Sequence, residues 1–289
     1  MTTFQLGIIP DEVSQDFEEA LRFAKSHDLT CVELRSAWEK NPFELTREDI
    51  RRIKALSRQY DLPVVAISSP FYKCDFFDED LKKQQLAQFA RLVDYAGILG
   101  AKAIRCFDFY RDPRITHRDI AAAYEAPIAL CEKAGLQILI ESEPAANSYN
   151  CETLSKLISY INSPTVKALY DPGNNIYADG EVPYPDGFRF IKDQFTHIHI
   201  KDAVIEKGKA KGCPVGKGLV DYHGLFRALL QMQYSGPVIL ETHYKPDGAL
   251  SEALLRDPKG SAISRMGDIA SAECLAGLRE IIKQANEGS

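Results

Sequence analysis

Four apolar segments in the second half of the chain each end in a side chain that could bind a metal ion. The segments are QILIESE, VKALYDP, THIHIKD and GPVILET, and these side chains are Glu141, Asp171, His199 and Glu241. Three carboxylates and one imidazole form an oxygen-rich donor set that suits Mn²⁺ or Mg²⁺ and also accepts Zn²⁺ or Co²⁺. If the four side chains converge, we expect a divalent metal ion, with Mn²⁺ as the first choice.

Convergence of three carboxylates carries an electrostatic cost. Two unit charges about 4 Å apart repel by roughly 4 kcal/mol at an effective dielectric constant near 20, so three such pairs cost on the order of 12 kcal/mol. Lys201 offers one positive charge, whereas a divalent ion neutralises more charge and is coordinated directly. A single acid at a strand end is more simply a salt-bridge partner or a helix cap. The conjunction of four such residues favours the metal site.

The elements that must position these residues alternate regularly along the chain. Amphipathic helical patterns separate the apolar runs, and no linker interrupts the series. The sequence GIIPDEVSQDFEEA after the first run lacks G-x-G-x-x-G, which weakens a dinucleotide-binding open sheet. We therefore predict one α/β domain, a (β/α)8 TIM barrel over residues 1–289. Its eight predicted strands are 4–10, 31–36, 63–69, 102–109, 137–143, 166–172, 196–202 and 236–242.

Side-chain alternation within a strand separates inward from outward positions. In THIHIKD the two isoleucines should face the helices, while His197, His199 and Lys201 point into the barrel. By the same alternation Asp171 stands above Leu169, and Glu241 above Ile239. The carboxylates therefore belong to the carboxyl end of the strands, where barrels of this type have their active sites.

Composition narrows the class of protein. The 289 residues carry a net charge of −6, which gives no general reason to bind nucleic acid. The seven cysteines show no C-x-x-C pair, and no apolar run approaches the length of a membrane span. We expect a cytoplasmic protein with reduced thiols and no membrane contact, and the sequence leaves homo-oligomer formation open.

The motifs LIESEP, LYDPGN, HIHIKD, PVGKGLVDY and ILETHY resemble those of the xylose isomerase-like TIM barrels, the sugar phosphate isomerase/epimerase family. The resemblance spans nearly the whole chain. It implies that Glu141, Asp171, His199 and Glu241 are the metal ligands, and that Glu141 and Glu241 also form a catalytic acid/base pair. His197, one step deeper, is then expected to be a hydrogen-bonded core residue.

Such a site suits proton transfer next to a carbonyl group. We expect a metal-dependent isomerase or epimerase that converts a keto-sugar or inosose-like substrate through a cis-enediolate. If the enediolate instead expels a β-substituent, the same site serves a lyase, either an inosose-type dehydratase or a 3-keto-glycoside eliminase. A third alternative is a barrel that binds a carbohydrate without turnover.

Two positions depart from related families. Endonuclease IV-like proteins and tagatose-type epimerases carry a histidine where this chain has Asn174, and the latter carry a glutamate where it has Asn147. We therefore expect neither cleavage of abasic DNA nor epimerisation of a free ketohexose at carbon 3.

Further polar residues at strand ends or in the first loop positions are expected to bind substrate, or otherwise to support the ligands. Lys201, for example, could pair with Glu143 or Asp202. The loop PVGKGLVDY could bind a phosphate or sugar hydroxyls or simply turn the chain, and EKGKAKG is expected to be a solvated loop. The expected substrate-binding residues are Glu33, Arg105, Glu143, Asn174, Lys201 and His243.

Overall fold

Eight parallel strands close into a barrel in the computed structural model, in the order β1-β2-β3-β4-β5-β6-β7-β10 and back to β1. The structure describes residues 4–178, 181–248, 250–251, 253–254, 258 and 260–287. The prediction of a (β/α)8 TIM barrel is confirmed, and each predicted strand overlaps one barrel strand. The strands are β1 Gln5–Ile8, β2 Cys31–Leu34, β3 Val64–Ser68, β4 Ala103–Cys106, β5 Gln137–Glu141, β6 Val166–Tyr170, β7 Phe195–Ile200, β8 Asp202–Glu206, β9 Lys209–Cys213 and β10 Pro237–Leu240.

Helices follow the barrel strands and cover the outside of the barrel. Thr46 and Asp49 form the expected capping box, and Gly100 and Gly135 end their helices with φ of 81° and 67°. The helices are α1 Phe17–Ser26, α2 Arg47–Gln59, α3 Glu79–Leu99, α4 His117–Ala134, α5 Cys151–Ile161, α6 Pro172–Tyr177, α7 Phe188–Ile191, α8 Tyr222–Gln231, α9 Ser261–Ser264 and α10 Gly267–Glu287, with single turns at Pro10–Glu12 and Pro183–Gly187.

Two layers of side chains fill the inside of the barrel. The deeper layer is mostly apolar, with one cluster made of Ala66, Ala103, Leu139 and Leu169, and it also contains His197 beside Leu169. Two residues further along the same strands the layer is polar, because those positions hold Ser68, Arg105, Glu141 and Asp171. The site at the barrel mouth therefore stands on a closed apolar floor.

Gly7 on β1 is part of that floor. A Cβ atom built at this position would lie 2.7 Å from both Cys31 Sγ and Ile239 Cδ1. Only glycine leaves room for these two side chains, which belong to the strands on either side of β1. The side chains of the two neighbouring strands thus pack directly against the backbone of β1 at Gly7.

From its sequence, the basic segment EKGKAKG is expected to be a solvated loop. In the structure it is part of an antiparallel hairpin of β8 and β9. Lys207 and Gly208 form its turn with positive φ. The strands pair directly from Asp202 opposite Cys213 to Glu206 opposite Lys209, so backbone pairing outweighs the low strand propensity of glycine and lysine.

The segment PVGKGLVDY has an internal partner for its amides. The carboxylate of Asp202 accepts hydrogen bonds from the backbone N–H groups of Gly216, Gly218 and Val220, at 2.9, 2.9 and 3.3 Å. The anion that these amides bind is therefore a side chain of the protein itself. The turn interpretation of this segment fits the structure, and the phosphate interpretation does not.

The main hydrophobic core lies between the barrel strands and the surrounding helices. All seven cysteines are free and buried within it or at its edges, as expected for reduced structural thiols. Among the described helices, none combines the length and the apolar character that a membrane span requires.

Asp108, in the loop after β4, is a buried acid outside the barrel mouth whose titration should affect folding strongly. Its side chain is fully buried, Ser148 Oγ donates a hydrogen bond to Oδ2 at 2.7 Å, and Oδ1 has no hydrogen-bond partner within the described chain. Burial raises the pKa of Asp108 to about 7, and the bond from Ser148 offsets this only in part. The folded protein therefore keeps a proton that the unfolded chain loses near pH 4.

We expect Asp108→Asn to become more stable relative to wild type as the pH rises from about 4 to about 7, by up to about 4 kcal/mol. The wild-type protein loses stability over that interval because the carboxyl group ionises in the unfolded chain but stays protonated in the folded protein, whereas the amide does not titrate. Urea unfolding at a series of pH values measures the difference, and a difference independent of pH would contradict the expectation. Asp112→Asn is the control, because hydrogen bonds from Arg114 lower the pKa of Asp112 to about 2, so its stability difference from wild type should stay constant from about pH 4 to pH 7.

Candidate metal centre

The four side chains at the strand ends meet at the mouth of the barrel. One potential ligand atom from each of Glu141, Asp171, His199 and Glu241 lies within 4.8 Å of the others, and all four residues are buried. His199 Nδ1 is 3.3 Å from Glu241 Oε2, 3.4 Å from Glu141 Oε1 and 3.9 Å from Asp171 Oδ2. Three carboxylate oxygens therefore surround one imidazole nitrogen.

Two of the four inner atoms of this cluster lack ordinary hydrogen bonds. In the described part of the chain, His199 Nδ1 and Asp171 Oδ2 are both buried without a hydrogen-bond partner. A single imidazole nitrogen can donate at most one proton, so it cannot satisfy three carboxylates. The donor atoms present therefore fit a divalent cation, with three oxygens and one nitrogen directed toward a common point.

A buried arginine holds the outer oxygen of each glutamate. Arg105 Nη1 donates to Glu141 Oε2 at 3.0 Å, and Arg35 Nη1 donates to Glu241 Oε1 at 2.7 Å. These bonds leave Glu141 Oε1 and Glu241 Oε2 facing His199. Charged hydrogen bonds of this kind fix the orientation of a ligand carboxylate before any ion binds.

Glu33 does the same for the imidazole. Its Oε1 lies 3.2 Å from His199 Nε2, which leaves Nδ1 facing the carboxylates. Glu33 Oε2 lies 2.5 Å from His197 Nε2, and Ser68 Oγ also donates to Glu33. His197 is thus a buried, hydrogen-bonded residue one layer below His199.

The sequence DPGN forms the start of α6 and supports two ligands together. Asp171 caps the helix by accepting a hydrogen bond from the Asn174 N–H, and the Asn174 side chain donates to Glu141 Oε1 at 3.2 Å. A Cβ atom at Gly173 would lie 2.4 Å from Lys201 Cγ. Glycine is needed here because the Lys201 side chain passes directly over the helix start.

Lys201 pairs with neither of the residues expected from the sequence. Its Nζ lies 2.6 Å from Glu241 Oε2 and 2.7 Å from Asp171 Oδ2. Glu143 instead pairs with Lys73 at 3.1 Å, and Asp202 binds backbone amides. The inward face of β7 continues past the last residue of the strand. Lys201 therefore reaches two of the three carboxylates that surround His199, those of Asp171 and Glu241.

The charges around the cluster leave one carboxylate poorly compensated. Burial raises the pKa of Asp171 to about 7, and the neighbouring Glu141 and Glu241 carboxylates oppose the effect of Lys201. Burial acts in the same direction on Glu241, but Lys201 and His243 hold its pKa well below the ordinary value. The side chains alone thus do not neutralise all three acids.

Arg35 was not singled out in the sequence, although it belongs to the site. It is 4% exposed, and its Nη2 binds Asp11 Oδ1 at 2.9 Å and Glu12 Oε1 at 2.8 Å. The signal was present, because Arg35 continues the inward alternation of Cys31 and Glu33. Asp11 and Glu12 follow β1 in the same way and place two further acids beneath the mouth.

A cavity of about 490 Å³ opens above the cluster, which is a size suited to a small molecule. Five of the six expected substrate-binding residues line it, and Glu33 lies behind His199 with no exposed surface. The five are Arg105, Glu143, Asn174, Lys201 and His243.

We expect Arg35→Met to lower the free energy of unfolding by about 3–5 kcal/mol, because it leaves Asp11 and Glu12 buried without their cation. Urea unfolding measures this change. Arg47→Met is the matched control, since the Arg47–Asp94 pair is about half exposed and should contribute at most about 1 kcal/mol. Equal effects of the two substitutions would contradict the buried network.

Comparison with known proteins shows which family this chain resembles. A family model described as xylose isomerase-like TIM barrel matches residues 21–258. An inosose dehydratase from Glaesserella parasuis serovar 5 (strain SH0165) is 21% identical over 274 residues, which cover 84% of this chain and 91% of that protein.

Two solved structures share the fold at low sequence identity. The 3-keto-D-glucoside 4-epimerase YcjR from E. coli has a TM-score of 0.68 and 17% identity, covering 88% of this chain and 97% of that one. The IOLI protein with a bound zinc atom has a TM-score of 0.75 and 14% identity, covering 98% and 99%. Since the family model spans well over half of its length, the chain belongs to the xylose isomerase-like TIM barrel family.

Proposed function

We propose that this protein is a metal-dependent enzyme that isomerises or epimerises a keto-sugar or inosose-like substrate through a cis-enediolate. The observation that carries the proposal is the convergence of three buried carboxylate oxygens on His199 Nδ1 below an open cavity. A relative named inosose dehydratase and a structural neighbour named 3-keto-D-glucoside 4-epimerase support a ketone of carbohydrate type.

In this proposal Glu141, Asp171, His199 and Glu241 hold the metal ion. The oxygen-rich donor set favours Mn²⁺, with Mg²⁺, Co²⁺ and Zn²⁺ as alternatives, and the zinc in a structural neighbour is consistent with a divalent ion. A divalent ion bound there supplies Lewis acidity that polarises the substrate carbonyl group.

Glu141 and Glu241 are proposed to transfer the proton. They stand on β5 and after β10, and both line the cavity. β6 and β7 lie between these strands in the barrel, so the two carboxylates approach a bound substrate from different sides. One accepts the proton from the carbon beside the ketone, and the other returns a proton to give the isomer or epimer.

Lys201 and Arg105 are proposed to hold substrate oxygens. Both line the cavity and each is fixed by a carboxylate, so their remaining N–H groups are available in a defined direction. As negative charge develops on the substrate oxygens during proton removal, these two cations stabilise it. Asn174 and His243 line the same cavity and complete the polar contacts proposed for the substrate.

A lyase is the second candidate, and the name carried by the curated relative favours it. In that reaction the same proton is removed, and the electron pair then forms a carbon–carbon double bond as the β-hydroxyl takes a proton from the second glutamate and leaves as water. The first step is common to both reactions, and the second glutamate protonates the leaving oxygen instead of a carbon atom.

We expect Glu241→Gln and His199→Ala to lose stoichiometric divalent metal, because each removes one of four ligands. Elemental analysis of purified protein measures the metal content. Glu143→Gln is the matched control, since Glu143 lines the cavity but pairs with Lys73 outside the cluster. Full metal retention in either ligand variant would disprove the assignment.

Solvent-deuterium exchange tests the reaction class. We expect the Mn²⁺-loaded protein in D₂O to exchange the hydrogen beside the ketone in at least one member of a panel of ketoses, inososes and 3-keto-glycosides. Glu141→Gln should slow this exchange by roughly a hundredfold or more. Mass spectrometry separates isomerisation, which keeps the carbon and oxygen atoms, from loss of water or an alcohol. Absence of exchange across the panel would contradict both candidate reactions.

A further inference from the structure

Arg111 is the cation at the cavity whose charge the described residues do not balance. Three other cations line the cavity, and each has a carboxylate partner: Lys73 with Glu143, Arg105 with Glu141, and Lys201 with Glu241. Arg111 also lines the cavity, at its exposed rim, and no ion pair joins it to a carboxylate in the described ranges. Its guanidinium therefore keeps its hydrogen-bonding capacity for a ligand.

The Arg111 side chain is nevertheless held in place. Its guanidinium carbon lies 3.7 Å from the centroid of the Tyr149 ring, a stacking contact between the loops after β4 and β5. The backbone N–H of Arg111 donates to the Ala145 carbonyl oxygen at 2.8 Å. An arginine stacked in this way loses less side-chain entropy when it binds an anion.

Asn147 joins the same two loops. Its Nδ2 donates to the carbonyl oxygens of Asp108 and Tyr110, at 2.8 and 3.3 Å, and its Oδ1 accepts from the Asp112 N–H at 3.2 Å. Asn147 thus fixes the segment that carries Arg111.

The balance of charges around the cavity also favours a negatively charged ligand. Among the described residues, the acids that line the cavity or belong to the cluster are Glu141, Glu143, Asp171 and Glu241, and the lining cations are Lys73, Arg105, Arg111 and Lys201. These charges are equal in number, so a divalent ion in the cluster would leave this set of residues with a net positive charge. A negatively charged substrate would restore the balance, whereas a neutral sugar would not.

We propose that the substrate carries an anionic group, a carboxylate or a phosphate, which Arg111 binds at the rim while the ketone lies above the four-residue cluster. Arginine suits this task because its planar N–H groups match two oxygens of either anion. This inference rests on the proposed function, since it defines the substrate class of the same cavity.

Calorimetric binding to the Mn²⁺-loaded protein tests the proposal with three sugars that cannot open their rings. The probes are methyl α-D-glucopyranoside, its 6-phosphate, and the corresponding methyl glucuronoside. We expect at least one anionic probe to bind about tenfold more tightly than the neutral glycoside, and the stronger of the two identifies phosphate or carboxylate. Arg111→Gln should abolish this preference.

Arg114→Gln is the matched control. Arg114 lies on the same loop and carries the same charge, but it pairs with Asp112 and does not line the cavity. We expect this variant to keep the preference for the anionic probe. Equal binding of all three probes, no binding of either anionic probe, a preference that survives in Arg111→Gln, or an equal loss in Arg114→Gln would each overturn the proposal.

The outcome is separable from that of the proposed function. Deuterium exchange into a neutral ketone together with no anion preference would reject the anionic substrate and leave the proposed chemistry intact. An Arg111-dependent preference without exchange in any ketone would support anion binding and reject the isomerase and lyase assignments.

Discussion

The repulsion among three buried carboxylates is the constraint on which the rest of the barrel mouth depends. Glu141, Asp171 and Glu241 lie on an apolar floor, where charges interact more strongly than in water. Each acid has one oxygen bound by a separate outer partner and one directed toward His199. The surrounding hydrogen bonds therefore fix the orientation of each carboxylate while the three acids remain close together.

The outer partners come from elements far apart in the sequence. Arg35 follows β2, Arg105 lies on β4 and Asn174 lies on α6, yet each binds one member of the cluster. Several inward residues near the barrel mouth that are not in the cluster therefore bind a side chain that is. Such support is as important to a metal site as the ligands themselves.

The strands and the four clustered residues could be predicted because they depend on local rules. Apolar runs fix the strands, alternation fixes the inward face, and parallel strands bring their carboxyl ends to one side of the barrel. The partner of Lys201 could not be predicted in this way, since it depends on the stagger between β6, β7 and β10. The hairpin of β8 and β9 was missed because its glycines and lysines have weak strand propensity, and its stability comes from pairing.

The contacts of Arg35 indicate when the site can form during folding. Its guanidinium joins Asp11 and Glu12, just after the first strand, to Glu241, just after the last, so the contact with Glu241 forms only when β1 and β10 close the barrel. A chain emerging from the ribosome folds from its N-terminus and can form Asp11, Glu12 and Arg35 contacts early. The third carboxylate of this group, Glu241, is synthesised 206 residues after Arg35. In a partly synthesised barrel, Arg35 can already contact Asp11 and Glu12, but Glu241 is still missing. The four-residue cluster therefore forms only after the last barrel strand has been made.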